Sequence, residues 1–315
     1  MSGKFICVAG LVACLAGWVA AAGEGAPAPA TNPPPPAESN SLAAAGAAGQ
    51  ASPAPTNPVP ELAAAAAPVL PALWFPVGER LVYSVHWGFL HVGETHVWSE
   101  WVEEDGRVLL AIRVRIQTVS FMDKIYPVDD FLESIVDPQT FLPLRFSKNL
   151  SEGRYRLKEV TTFDHRAGMA HWKHLLRENS TNDFEIKADT RDMLSFMYYM
   201  RRYDWKPETE LTERVMADEK LYELIVHARK YEDIELPHYG TVRSLLVEPD
   251  AKFKGVFIRV GRLKVWISDD QRCLCTQATA KIPVGSVRVM LQRVEGPGDD
   301  RWLDAAAQNH EAEGG

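Results

Sequence analysis

The chain has 315 residues, a net charge of −8 and a calculated pI near 5.6. An acidic chain with no cluster of Lys and Arg has nothing to release phosphate counterions, so nucleic acid is a poor partner. With 46% hydrophobic residues, a sizeable core can form without metal or disulfide staples.

The N-terminus reads Met1-Ser2-Gly3-Lys4 and then runs apolar from Phe5 to Ala22. One positive charge, a short apolar stretch and Ala20-Ala21-Ala22 describe a secretory signal cleaved near Gly23. Two alternatives stay open. Leu11-Val12-Ala13-Cys14 resembles a lipobox that would make Cys14 a lipidated first residue, and the apolar run could serve as an uncleaved anchor. Either way the protein is expected to be exported, periplasmic or anchored beside a membrane.

Residues 23–72 change character. Twelve of the 21 prolines lie between Gly23 and Pro71, with long Ala runs and no Lys or Arg between Lys4 and Arg80. Such a segment buries too little apolar surface to offset its ordering entropy, so a disordered Pro/Ala tether is expected. The last residues, 304–315, read as a frayed tail.

Residues 73–303 read as a single β-rich domain. Leu81, Tyr83, Val85 and Trp87 alternate with Val82, Ser84, His86 and Gly88. Leu110, Ile112, Val114 and Ile116 alternate with Arg113, Arg115 and Gln117, and similar stretches recur to Leu291. Frequent period-two segments joined by turns such as Glu104-Asp105-Gly106 and Ser151-Glu152-Gly153 predict antiparallel meanders. One segment breaks the period. Met193, Phe196, Met197 and Met200 share a helical face, with Asp192 before them and Arg201-Arg202 after. The expected fold is mainly β, a curved antiparallel sheet resembling a half-barrel meander, with one helix packed around residues 190–202.

Few residues nominate chemistry. His86, His91 and His96 recur every five residues, an odd spacing that alternates faces along a strand and lacks supporting carboxylates or thiols; no metal site is expected. Cys273 and Cys275 stand two apart, about 6.5–7 Å between Cα atoms on one strand, at the limit of a disulfide, so their pairing is left open. Asp129-Asp130 and Asp269-Asp270 read as solvated turn formers. No nucleophile elbow, phosphate loop, zinc-protease motif or cofactor fingerprint occurs, so neither an enzyme nor a cofactor is expected. Met193, Phe196, Met197 and Met200, together with Trp87, would line any apolar cavity between helix and sheet.

Four stretches carry a resemblance. They are Phe75–Tyr83 opening into Trp87-Gly88-Phe89, then Asp192–Arg202, then Asp218–Tyr222, then Gly261–Asp270 followed by Ile282–Ser286. Together they resemble domain of unknown function 3108, carried by exported bacterial envelope proteins. The resemblance implies a β-rich fold and an envelope setting but brings no catalytic residues. The leading functional expectation is a non-catalytic binding or carrier module for a lipid or other apolar, envelope-derived ligand. An assembly factor contacting another envelope protein is the second, and a hydrolase of envelope material the third.

Overall fold

The computed structural model describes residues 70–217, 220–253, 256–258, 263–281, 285–298 and 302. The expected signal, Cys14, most of the expected tether and the C-terminal tail lie outside the described residues.

The first half of the domain is an uninterrupted meander: β1 (Arg80–Trp87), β2 (Leu90–Glu104), β3 (Arg107–Thr118), β4 (Asp129–Asp137), β5 (Leu142–Glu152), β6 (Tyr155–Asp164), β7 (Met169–His174) and β8 (Thr181–Glu185). A short helix, α1 (Ser120–Asp123), interrupts the β3–β4 connection. The chain then makes β9 (Arg191–Asp192) and helix α2 (Met193–Met200). The second half comprises β10 (Glu210–Ala217), β11 (Lys220–Leu236), β12 (Gly240–Phe253), β13 (Val256–Ile258), β14 (Leu263–Ser268), β15 (Cys275–Lys281) and β16 (Ser286–Glu295).

All sixteen strands belong to one open, curved sheet, ordered β8-β7-β6-β5-β4-β3-β2-β1-β16-β15-β14-β12-β11-β10-β9, with β13 on β12. The first and last strands meet at its middle, Trp87 opposite Val287 and Arg80 opposite Glu295. Every pairing is antiparallel except the short parallel contact of β9 with β10. The fold is therefore the expected mainly β, curved half-barrel sheet, with the expected helix at Met193–Met200 and a second, four-residue helix that periodicity did not show.

Local chemistry explains the turns. Asp105 and Gly106 both adopt positive φ, 51° and 70°, between Glu104 and Arg107. That is the two-residue turn whose twist matches flanking strands. Gly93 has a different cause: a Cβ there would stand 2.5 Å from the carbonyl oxygen of Gln117 on β3, so only glycine lets β2 and β3 approach at this point.

Alternation explains the core. Leu110, Ile112, Val114 and Ile116 are buried, whereas Arg113 and Arg115 turn outward to pair with Glu133 and Asp129. β1 departs from the expected one-sided pattern: Val82 and Ser84 are buried as well as Leu81, Tyr83 and Val85. On this second face Ser84 accepts the side-chain amide of Gln292 on β16 at 2.8 Å.

Candidate functional site

Helix α2 lies against the sheet through contacts with β3, β4, β9 and β10. Its start is fixed by Asp192, whose carboxylate accepts the backbone N–H groups of Leu194 at 2.8 Å and Ser195 at 3.0 Å. The other carboxylate oxygen accepts the Ser134 hydroxyl of β4 at 2.5 Å. One residue thus caps the helix and ties it to the opposite limb of the sheet.

The end of the helix is fixed by charge. Arg201 donates to Glu79 from both terminal nitrogens, at 2.8 and 3.3 Å, and from Nε to the Arg272 carbonyl at 3.0 Å. Glu79 is fully buried and Arg201 nearly so. The guanidinium also lies 5.3 Å from the Phe75 ring and 5.2 Å from that of Tyr198. Trp74 packs on Phe141 and donates its indole N–H to the Tyr198 carbonyl at 2.8 Å, so the segment before β1 is bound onto the helix.

Between α2 and the sheet lies a cavity of about 160 Å³. Helix residues Phe196, Met197 and Met200 form one wall, joined by Arg201 and Trp205. Leu81 and Tyr83 of β1, with Thr95 and Val97 of β2, form another. The floor comes from Leu224, Val226, Val247, Val265, Ile267 and Val289, contributed by β11, β12, β14 and β16. Tyr198 of the helix, Pro249 of β12, Ala278 and both cysteines complete the lining. The lining is almost wholly aliphatic, aromatic and sulfur-bearing, and the one charged group, Arg201, is already engaged by Glu79. Such a lining suits an apolar ligand.

Three of the five expected lining residues, Phe196, Met197 and Met200, meet at the cavity. Met193 and Trp87 do not reach it. Met193 opens the helix beside β9 and is buried in the core there. Trp87 stands at the far end of β1 beside the β15–β16 turn, where its indole nitrogen lies 3.2 Å from the Cβ position of Gly285. A shared helical or strand face is not a shared depth along the element.

Cys273 and Cys275 differ from expectation too. They do not sit two apart on one strand: Cys273 lies in the β14–β15 turn at φ +46°, and only Cys275 belongs to β15. Both thiols are free. Burial, the largest cause for each, pushes the Cys273 thiol up to about 11 and the Cys275 thiol up to about 12. Both are therefore protonated at neutral pH and weak nucleophiles. Arg272 lowers neither thiol enough to matter, being committed to Asp270, the Gly298 carbonyl and the face of Trp302.

The imidazoles of His86 and His91 stack across the β1–β2 turn, 5.1 Å between centroids, with His96 further along β2 beside Glu94. Among the described residues no group of three or more His, Cys, Asp or Glu is placed to hold a metal ion.

The aspartate pairs are only partly what their sequence predicts. Asp270 is a turn former: it accepts the backbone N–H of Arg272, the Ser268 hydroxyl and the Trp302 indole N–H. Burial works to raise its carboxyl, but these donors and the Arg272 charge outweigh it and hold it below the usual range. Asp130 is not a solvated turn residue. It is fully buried in β4, with one oxygen accepting the Ser151 amide at 2.8 Å and the other without a partner. Burial first, then the neighbouring charge of Glu152, pushes its carboxyl up to about 7. Burial likewise pushes Asp192 up to about 6 against the hydrogen bonds of Ser134, Ser195 and Leu194.

These two shifts have a definite sign. A carboxyl raised on folding makes the folded chain bind more protons than the unfolded chain between the ordinary carboxylate range and the raised value. Stability is therefore gained as pH falls through that window and lost as pH rises through it, up to about 7 for Asp130. Asp130→Asn keeps the acceptor for the Ser151 amide and removes the charge. At about 1.4 kcal/mol per pK unit, a rise from 3.8 to about 7 means that the variant should stabilise the protein by about 2–3 kcal/mol more at pH ~8 than at pH ~5. Urea unfolding at the two pH values checks this; equal stabilities of variant and parent at the higher pH would refute the assignment.

Comparisons with known proteins add a frame. The model of a family described as a protein of unknown function, DUF3108, matches residues 82–292. Among solved structures, a β-barrel-like protein of domain of unknown function DUF1849 from Brucella abortus is similar at 12% identity and a TM-score of 0.48, over 69% of this chain and 96% of that one. No match is found among curated proteins.

Proposed function

The chain belongs to the DUF3108 family of proteins of unknown function, and from that premise we propose that it is a non-catalytic binding or carrier module for an apolar ligand drawn from the bacterial envelope. The observation that carries this reading is the apolar cavity between α2 and the sheet. The cavity is partly open to the surface, and an apolar space of roughly this size, about 150 Å³, accepts a benzene-sized guest. About 160 Å³ therefore suits a ring or a stretch of acyl chain rather than a whole lipid. Each methylene buried there contributes about 0.8 kcal/mol. Met197 and Met200, unbranched and polarisable, can repack around chains of differing shape. The export signal expected at Met1–Ala22 supports an envelope setting, and with it a supply of acyl chains.

The test is native mass spectrometry of the protein purified from the exported fraction, before and after extraction with organic solvent. The expected result is an adduct of lipid mass that extraction removes. A bare protein mass in both samples would tell against the carrier.

A second reading, an assembly factor joining another envelope protein by strand addition, is favoured by one observation. The sheet ends in β8, a five-residue strand with mostly exposed side chains and an outer edge that no other strand among the described residues covers. Crosslinking from β8 would then capture that partner while no ligand is recovered.

A further inference from the structure

In a meander, alternate turns fall at the same end of the sheet. The β1–β2, β3–β4, β5–β6 and β7–β8 connections therefore share one end, and hydrogen bonds stitch them side by side. Val119 donates to the Val92 carbonyl at 3.1 Å, Gly153 to Pro127 at 2.7 Å, and Leu175 to Lys158 at 2.6 Å.

The exposed apolar residues are gathered here. Phe89 is 90% exposed at the first turn, with Leu90 beside it, and Ile125 is 73% exposed in the second connection, with Phe121. Tyr155 projects at the third, Leu175 and Leu176 at the fourth. Apart from Leu70 at the start of the described residues, these are all the exposed large hydrophobic residues among them. The turns at the opposite end are Asp105-Gly106, Asp137–Phe141 and Asp164–Gly168, in which the large apolar Phe141 is buried.

Charge distinguishes the two ends further. Exposed Lys124, Arg154, Arg156 and Arg177 stand among the apolar tips, facing only Asp123, Glu152 and Glu178 in the same segments. This is a slight cationic excess in a chain whose net charge is −8. Aromatic and aliphatic tips set among cations, spread along one rim rather than gathered in a groove, match the chemistry of an anionic bilayer surface. Rings and alkyl groups enter the headgroup boundary while Lys and Arg meet the lipid phosphates. We propose that this rim docks on the surface of an anionic phospholipid membrane. The proposal is independent of the carrier reading, since docking is read without reference to what the cavity holds.

Hydrogen–deuterium exchange mass spectrometry of the full chain tests it, with and without vesicles of phosphatidylethanolamine and phosphatidylglycerol. The N-terminal segment is the same in every sample. Slower exchange is expected in residues 88–92, 119–127, 152–157 and 174–180, with no change in 104–107, 137–141 and 164–168. The effect should weaken on phosphatidylcholine vesicles and at high salt. Phe89→Ser/Ile125→Ser/Leu176→Ser alters only exposed positions; it should keep the thermal transition and lower the vesicle-dependent protection about tenfold. Unchanged exchange at the four turns, or equal slowing at both ends, would overturn the proposal. So would slowing that appears without vesicles as protein concentration rises and vanishes in the triple variant, because the rim would then be a contact between copies.

Discussion

Replacing Arg201 with Met should lower the unfolding free energy by about 3–5 kcal/mol, the cost of stranding a buried charge. Glu79 is fully buried, and the structure offers it both terminal nitrogens of Arg201. The loss reaches beyond one ion pair. Arg201 also holds the Arg272 carbonyl, so the same side chain joins the entrance of β1, the end of α2 and the β14–β15 turn. At roughly 2–4 °C per kcal/mol for a domain of this size, the thermal midpoint should fall by about 10 °C. The pair Glu79→Gln/Arg201→Met removes both charges and should recover a good part of that loss, since no uncompensated carboxylate is then left inside. Denaturant titration of the parent, both single variants and the double variant measures the coupling. A loss under about 1 kcal/mol for Arg201→Met, or a double variant as unstable as the sum of the singles, would show that the pair does not hold the helix in place.

Filling the cavity should separate ligand retention from folding. Ala278 is buried on β15, lines the cavity and stands opposite Val289, another lining residue. Ala278→Phe projects a ring into the space an acyl segment would use. Retained ligand, read by native mass spectrometry, should fall by tenfold or more. The thermal midpoint should hold or rise, because added atoms occupy empty volume rather than displacing neighbours. Phe89→Ser, an exposed change far from the lining, is the matched control and should leave retention as it is. Full retention by Ala278→Phe would place the ligand elsewhere on the protein.

The sheet was legible in the residues wherever one face meets core and the other meets water. β3 shows this most plainly, with Leu110 to Ile116 inward and Arg113 and Arg115 outward. Helix α2 was legible because its cap, its apolar spacing and its terminal arginines agree. Three features of the cavity wall, Phe196, Met197 and Met200, follow from that helix alone. The Glu79–Arg201 pair was not legible, since its members are separated by more than a hundred residues and each reads locally as an ordinary charged residue beside a strand or helix end. A Glu two residues ahead of the buried run that starts at Leu81 was the only local sign. Asp130 was hidden for a different reason. In Asp129-Asp130 the two side chains lie on opposite faces of β4, so one meets Arg115 in water and the other is enclosed. Depth along an element is likewise absent from periodicity, which is why Met193 and Trp87 share faces with lining residues but not their destination.

The pairing of β1 with β16 has a consequence for how the chain reaches its native state. Arg80 meets Glu295 across more than two hundred intervening residues. The β1–β8 meander can zip from neighbour to neighbour as soon as it is released, each hairpin closing a short loop. The middle of the sheet cannot, because β1 keeps an unsatisfied edge until the last strand arrives. Folding is therefore completed late and slowly, as topologies dominated by distant contacts are. In the interval the exposed edge of β1, rich in Val, Tyr and Leu, is the part of the molecule most in need of a chaperone.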